Sequence, residues 1–307
     1  MTMPTSGRGS ARVTSDGATR PMKPGMQRQS ADDSPTSSAG QTVRSRYVTA
    51  ARVRWLASHL SDREQAVLGS LRRLRVATSA QLERLHFADV TPRQGRAVLA
   101  TLVKRRLIAR LPRRVGGVRA GSAGYVYVLD VAGQRLGPAD GRRVQRPWPV
   151  GTPFLAHSLA VSELYVRLIE AERQGRAGLR LGEFLTEPAC WRSFAAPGAG
   201  RITLKPDAEV TLGLGRFEDR WFIEVDRATE SRSTLDRKLG CYVRYWQSGQ
   251  EQARLGIFPK VLWIVPDSAR VDVLVDACGR LPVAAWPLFT VATEANAVDR
   301  LLAGADS

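Results

Sequence analysis

The sequence predicts an α/β protein, α+β overall, with two folded parts. Residues 61–130 contain three short amphipathic helices followed by two strands, and residues 154–291 alternate helices and strands in the order αβββαβ. Such an alternation is typical of a mixed sheet with helices on its faces. The two parts also differ in charge. Residues 1–150 carry 27 basic and 9 acidic side chains, whereas residues 151–307 carry 19 basic and 20 acidic side chains. This split predicts a polyanionic partner for the first part.

Composition predicts four segments along the chain. Residues 1–45 are basic and almost lack large apolar side chains, so we expect a disordered tail that cannot offset its ordering entropy by burial. Residues 46–135 form the first predicted domain, and residues 136–153, rich in Gly, Pro and Arg, form a linker. Residues 154–307 form the second predicted domain.

Three capping boxes predict where the helices of the first domain begin. Each box pairs a Ser or Thr with a Glu or Gln three residues later: Ser61 with Glu64, Thr78 with Gln81, and Thr91 with Gln94. Pro92 suits the first position of the third helix, where its missing N–H costs little. Strands over 107–111 and 125–130 flank a loop rich in Gly and Arg. Three helices and a hairpin in this order describe a winged helix-turn-helix.

The basic side chains of this domain predict contacts with double-stranded DNA. In a winged helix the third helix reads the groove, and the hairpin loop contacts the backbone beside it. The candidate DNA-binding residues are Arg93, Arg96, Lys104, Arg105 and Arg106 of the third helix, and Arg113, Arg114 and Arg119 of the loop. The alternative interpretation is a winged helix that contacts proteins, with these side chains solvated.

Several classes of protein do not fit the sequence. No apolar stretch reaches the 18 residues that a membrane span needs, and the first residues contain no apolar signal core. Cys190, Cys241 and Cys278 form no CxxC pair, so we expect neither a disulfide framework nor a zinc site, and we expect the cytoplasm as compartment. The three histidines form no HxH or HExxH motif, which argues against a relaxase built on paired histidines.

Acidic residues in two neighbouring strands predict a metal site in the second domain. Strands are predicted over 179–186, 202–212, 220–226, 260–265 and 287–291, and helices over 154–171, 233–247 and 269–279. Asp207 lies in one strand and Glu224 and Asp226 in the next, where alternation points both side chains to one face. Three converging carboxylates repel one another unless a cation neutralises them, and Mg²⁺ prefers oxygen ligands. We therefore expect Asp207, Glu224 and Asp226 to bind Mg²⁺.

These motifs resemble known families. Pro206-Asp207, Glu224-Val225-Asp226 and the order αβββαβ resemble the PD-(D/E)xK nuclease superfamily, whose sheet is that of restriction endonucleases. The ordered segments "RPWPVGTPFLAHSLAVSELYVRL", "LKPDAEVTL", "WFIEVDRATES" and "RKLGCYVRYWQSG", after a winged helix, look like the replication-relaxation family of actinobacterial plasmids and integrative elements. This resemblance covers roughly residues 60–291.

The resemblance implies a DNA-binding protein of plasmid replication or relaxation, with Mg²⁺-dependent nicking of DNA as one expected activity. It implies catalytic roles for Asp207, Glu224 and Asp226, and for Glu163 of the early helix. It also implies plasmid replication or transfer proteins as further partners, and a homodimer stays open. No membrane partner is expected, because no apolar stretch is long enough to span one.

One departure from the nuclease pattern concerns the lysine. Asp226 stands where such nucleases usually have Lys, so another lysine must supply the cation. Lys238 of the following helix is the preferred candidate, and Lys205, on the strand face of Asp207, is the alternative. Without either lysine the domain is a degenerate nuclease that only binds, as in a replication or transcription factor. Plainer interpretations give Glu163 a salt bridge with Arg167 and give Asp226 the role of capping a turn. For the protein as a whole, a covalent tyrosine relaxase is a third hypothesis.

Overall fold

The computed structural model describes residues 48–111, 124–137, 144, 152–196 and 200–304. The first part of the chain contains five helices and three short strands among these residues. They are α1 (Ala50–Ala57), α2 (Asp62–Leu74), β1 (Ala77–Thr78), α3 (Ser79–His86), α4 (Pro92–Lys104), β2 (Ile108–Arg110), β3 (Val126–Leu129) and α5 (Val131–Arg135).

The three predicted capping boxes are all present at the starts of α2, α3 and α4. In each, the side chain of the N-cap residue accepts a hydrogen bond from the third backbone N–H of the helix, and the third side chain accepts one from the N-cap N–H. β3 pairs antiparallel with both β1 and β2, in the order β1-β3-β2. Leu82, Leu99, Leu102 and Leu107 are fully buried between the helices and this sheet. α1, β1 and α5 were not predicted.

The second part of the chain begins with the long helix α6. Its elements are α6 (Thr152–Arg173), a 3-10 turn (Arg176–Gly178), β4 (Leu179–Thr186), β5 (Arg192–Ala196), β6 (Gly200–Leu204), β7 (Ala208–Leu214), β8 (Phe217–Val225), α7 (Arg232–Gln247), α8 (Gln250–Leu255), β9 (Lys260–Val265), α9 (Ser268–Gly279), a second 3-10 turn (Val283–Leu288), β10 (Phe289–Thr293) and α10 (Ala297–Leu302).

Five of these strands form a mixed sheet in the order β10-β9-β8-β7-β4. β4, β7 and β8 pair antiparallel, whereas β8, β9 and β10 pair parallel. One face of the sheet packs against α6 and α10, and the other against α7, α9 and the β5–β6 hairpin. The protein is therefore mixed α+β, as predicted. The strand predicted over 202–212 is two strands, β6 and β7, which are separated at Lys205-Pro206-Asp207 because proline cannot donate to a sheet ladder.

Residues 46–307 form one compact unit, in which the first part of the chain packs on α6. The predicted domain boundaries stay predictions. The predicted tail falls outside the described residues, as do residues 138–143 and 145–151 of the predicted linker. Among the helices described, none combines the length and the apolar character that crossing a membrane requires.

Candidate functional site

The antiparallel pairing of β7 with β8 brings Asp207 and Glu224 to the same end of the sheet. Asp207 directly precedes β7, and its N–H donates to the carbonyl of Ile223 at 3.0 Å. Its carboxylate Oδ2 accepts from the N–H of Val225, the residue after Glu224, at 2.7 Å. Asp207 and Glu224 are both buried, at 7% and 1% exposure. Two of the three expected carboxylates are therefore neighbours.

Helix α7 supplies the partners of the Glu224 carboxylate. The Tyr242 hydroxyl donates to Oε1 at 2.7 Å, and the Lys238 ammonium donates to Oε2 at 3.0 Å. Residues four apart lie on one face of a helix, so α7 presents both donors to β8 together. The Lys238 ammonium also lies 2.8 Å from the carboxylate of Glu230. Lys238 thus links two acidic side chains.

Burial and like charge make this cluster electrostatically unusual. Burial, together with the neighbouring charge of Asp207, raises the pKa of Glu224 to about 8. Burial disfavours the charged form of Lys238, but the carboxylates of Glu224 and Asp207 outweigh it and raise the pKa of Lys238 above its ordinary value. Perturbed ionisation of this kind is concentrated at functional sites.

The structure distinguishes between the two candidate lysines. Lys238 contacts Glu224 directly, whereas the Lys205 ammonium lies over the ring of Trp191, 4.5 Å from its centroid. Lys238, the preferred candidate, is therefore the lysine that joins the carboxylates.

Asp226 is held apart from the other two carboxylates. Its Oδ2 accepts from the guanidinium of Arg270 at 2.5 Å, and its Oδ1 accepts from the N–H of Ala228 at 2.9 Å. β8 ends at Val225, so the alternation of side chains that predicted convergence no longer fixes the direction of Asp226. Asp226 closes a turn in which Ala228 has a φ of 58°. Asp226 thus occupies the turn-capping position that the plainer interpretation gave it.

Glu163 lies at a different contact. Its carboxylate accepts from Arg84 at 2.6 Å and from Gln81 at 3.0 Å, both on α3. Arg167, its alternative partner, donates instead to the carbonyls of Glu294 and Ala295. The structure therefore places Glu163 between α3 and α6, away from the contacts of Glu224.

His157 of α6 completes the surroundings of Asp207. Its Nε2 lies 3.1 Å from Asp207 Oδ1, and this hydrogen bond raises the pKa of His157 although burial opposes it. His157 also lines a small cleft at the sheet end, and the other lining residues are Pro153, Ala156, Val225, Asp226, Arg227, Thr229 and Glu230. Two residues of this lining, His157 and Glu230, contact Asp207 and Lys238 respectively, so the cleft adjoins the cluster.

Sequence reasoning gave four members of this neighbourhood no place at the site: it interpreted His157 as a hydrogen-bonding residue at a helix start and Tyr242 as a core residue, and it did not consider Glu230 or Arg270. Tyr242 had a usable signal, because it follows Lys238 by four residues and so shares its helix face. The other three come from separate segments, and no spacing in the sequence links them to Asp207 or Glu224.

The predicted DNA-binding residues fall into three groups. Arg93, Arg96 and Lys104 of α4 are exposed and have no ion pair within the described part of the chain. Arg105 pairs with the buried Glu64 at 3.0 Å, and Arg106 lies 3.4 Å from Asp130. These two arginines therefore have structural partners. Arg113, Arg114 and Arg119 lie outside the described residues.

The fit of Mg²⁺ can be judged from the donors present. The described residues contain no group of three or more His, Cys, Asp or Glu side chains arranged to hold a metal ion. Asp207 and Glu224 offer two neighbouring carboxylates whose mutual repulsion a cation would relieve. Beside them, Glu230 Oε2 is buried without a hydrogen-bond partner. Two carboxylates with water as the remaining ligand are a donor set that Mg²⁺ accepts. In this structure both oxygens of Glu224 already accept from Tyr242 and Lys238, and Asp226 is occupied by Arg270, so an ion would have to displace one of these donors.

Comparison with known proteins gives one match. The family described as replication-relaxation matches residues 68–261, from α2 to the start of β9, which include every residue of the Asp207, Glu224 and Lys238 cluster. Searches of curated proteins and of solved structures found no match. Because the match covers more than half of the chain, the protein belongs to the replication-relaxation family.

Proposed function

We propose that this chain is a DNA-binding protein of plasmid or mobile-element replication or relaxation, and that it nicks DNA at a site formed by Asp207, Glu224 and Lys238. The observation that carries the proposal is the contact of Lys238 with Glu224 at 3.0 Å, beside the buried Asp207. Two carboxylates and one lysine are the residue types of the PD-(D/E)xK pattern, with the lysine supplied by α7 instead of β8.

The first part of the chain supports DNA binding. The order α2-β1-α3-α4-β2-β3 with the sheet β1-β3-β2 supports the proposal of a winged helix, in which α4 would enter the major groove. Arg93 and Arg96 lie in the first turns of α4 and Lys104 at its end, all exposed and free to contact phosphates. Duplex DNA is the partner that this proposal requires; plasmid replication or transfer proteins and a second copy of the chain are further proposed partners.

The cluster has the groups that phosphodiester hydrolysis needs. When bound by Asp207 and Glu224, Mg²⁺ would supply charge neutralisation and activation of water. The Lys238 ammonium is held near the carboxylates by Glu224 and Glu230, where it can stabilise negative charge that develops on a phosphate. Tyr242 fixes the orientation of Glu224 through its hydrogen bond. The cleft lined by His157 and Glu230 lies beside this cluster, since these two residues contact Asp207 and Lys238.

Nicking of a supercoiled plasmid tests the proposal. We expect the wild type to form open circles in Mg²⁺ and not in EDTA, and we expect Asp207→Asn to reduce the rate at least 100-fold, the order associated with losing an essential charged group. Glu218→Gln is the matched control, since Glu218 is an exposed carboxylate on the same strand as Glu224. Equal rates for Asp207→Asn and the control would refute the assignment.

A second candidate function is that of a replication or transcription factor without catalysis. The pairing of Asp226 with Arg270 favours it, because this guanidinium removes the third carboxylate from any metal site. The two functions differ in their response to Mg²⁺: a bound ion raises the melting temperature by mass action, so a protein without the site shows no shift. A shift that Glu224→Gln abolishes would favour the nuclease.

A further inference from the structure

Arg84 of α3 connects the first part of the chain to α6. Its guanidinium donates to both carboxylate oxygens of Glu170, at 2.7 and 2.5 Å, and to Glu163 at 2.6 Å. Paired, parallel hydrogen bonds of this kind fix orientation as well as distance. The hydrogen bond to Arg84 correspondingly lowers the pKa of Glu170. We call Arg84, Glu163 and Glu170 the α3–α6 clamp.

Further hydrogen bonds surround the clamp. Gln81 of α3 donates to the carbonyl of Leu159 at 3.1 Å, and the buried Ser162 donates to the carbonyl of Val76 at 2.7 Å. In the opposite direction, Arg173 of α6 donates to the carbonyls of Arg84 and Leu85 at 2.8 and 2.6 Å. The contact thus extends along most of α3 and does not depend on charge alone.

Helix α3 of the clamp packs tightly against α4, the helix that we propose enters the groove. Phe87 follows α3, and its side chain packs so closely on Gly95 of α4 that a Cβ there would lie 3.1 Å from the ring. Leu82 and Leu99 share one buried core. α3 and α4 are therefore a single packed unit, and fixing α3 fixes α4.

The same helix α6 reaches the candidate catalytic site. It runs without a break from Thr152 to Arg173, with His157 at the Asp207 end and Glu170 at the clamp. Thirteen residues at about 1.5 Å each place these two positions ~20 Å apart along one rod. That length corresponds to about six base-pair steps of duplex DNA.

We propose that Arg84 is a positioning residue, which holds α4 at one fixed distance and direction from the cluster of Asp207, Glu224 and Lys238. The second part of the chain then meets DNA at a constant offset from the sequence bound by α4. A flexible tether would instead spread the contacts over many positions. The inference rests on the proposed DNA binding but not on cleavage.

Hydroxyl-radical footprinting of the full chain tests this inference, on a duplex selected from random-sequence DNA by binding to the wild type. The wild type should protect a segment bound by α4 and a second segment at a fixed spacing. Arg84→Glu places three carboxylates next to one another at the clamp. This variant should still protect the first DNA segment and should no longer protect the second. Arg84→Glu with Glu170→Arg restores an opposite-charge pair and should recover the second segment. The same footprint for the wild type and Arg84→Glu would overturn the proposal.

Calorimetry gives a readout that needs no DNA. The clamp predicts a lower melting temperature for Arg84→Glu than for the wild type, because the charge reversal removes the three hydrogen bonds of Arg84 while the neighbouring contacts of α3 with α6 remain. Arg201→Gln, at an exposed arginine of β6, is the matched control and should keep the melting temperature of the wild type. The same melting temperature for Arg84→Glu and the control would overturn the clamp. If the calorimetry gives the expected result but no footprint forms, the proposed DNA binding is refuted and the clamp is not.

Discussion

Replacing Glu224 by glutamine should change how the stability of the protein depends on pH. The native carboxyl group has a pKa of about 8, against an ordinary value of 4.5. Between these values the native protein holds a proton that the unfolded chain releases. The contribution of Glu224 to stability is therefore present at low pH and is lost as the pH rises toward 8.

The size of the effect follows from the two pKa values. One pKa unit corresponds to about 1.4 kcal/mol, and integration from pH 5.5 to 7.5 gives a loss of about 2 to 3 kcal/mol for one group. Glutamine has nearly the shape of glutamic acid and does not titrate. Its amide oxygen can accept from Lys238 and its NH2 group can donate to the Tyr242 hydroxyl oxygen, so the hydrogen-bond change does not depend on pH. We therefore expect the stability difference, wild type minus Glu224→Gln, to fall by about 2 to 3 kcal/mol over that interval.

Urea unfolding at pH 5.5, 6.5 and 7.5, followed by tryptophan fluorescence, measures this difference. Glu218→Gln is the control, because the Glu218 side chain is 59% exposed and should leave the pH profile of the wild type unchanged. Parallel profiles for the wild type and Glu224→Gln would show that Glu224 ionises normally, and would refute the electrostatic account of the cluster.

Three further predictions concern charged side chains elsewhere. Arg93→Gln with Arg96→Gln should reduce the slope of log affinity against log salt by about 2, measured by fluorescence anisotropy with duplex DNA, and an unchanged slope would exclude phosphate contacts there. Neutralising Arg113, Arg114 and Arg119 together should flatten the same slope by up to about 3 if the loop contacts phosphates. Arg270→Leu should destabilise the protein by about 3 to 5 kcal/mol in urea unfolding, because it leaves Asp226 buried without its cation, and Arg270→Leu with Asp226→Leu should recover much of the loss.

Local signals in the sequence predicted most of the first part of the chain. The capping boxes of α2, α3 and α4 depend on residues three apart, so the sequence contains all that their geometry requires. The ion pair of Arg105 could not be predicted in the same way, because its partner Glu64 lies 41 residues away and no local pattern links the two.

The candidate site was predicted in part, for reasons of sheet geometry. Pairing of β7 with β8 follows from a short hairpin, so the approach of Asp207 to Glu224 could be predicted. The direction of the Asp226 side chain could not be predicted, since it depends on Arg270, which lies in α9, 44 residues later in the chain. Glu163 has a carboxylate on the expected helix, but the packing of α3 on α6, a contact between distant segments, decides its partner.

The central claim, that Asp207, Glu224 and Lys238 form a working site, is tested most directly by comparing two lysine variants in Mg²⁺-dependent plasmid nicking. Lys238 contacts Glu224, whereas Lys205 lies over Trp191. The structure predicts that Lys238→Met loses at least 100-fold in nicking rate while Lys205→Met retains the rate of the wild type. Nicking by Lys238→Met at the rate of Lys205→Met would contradict the claim.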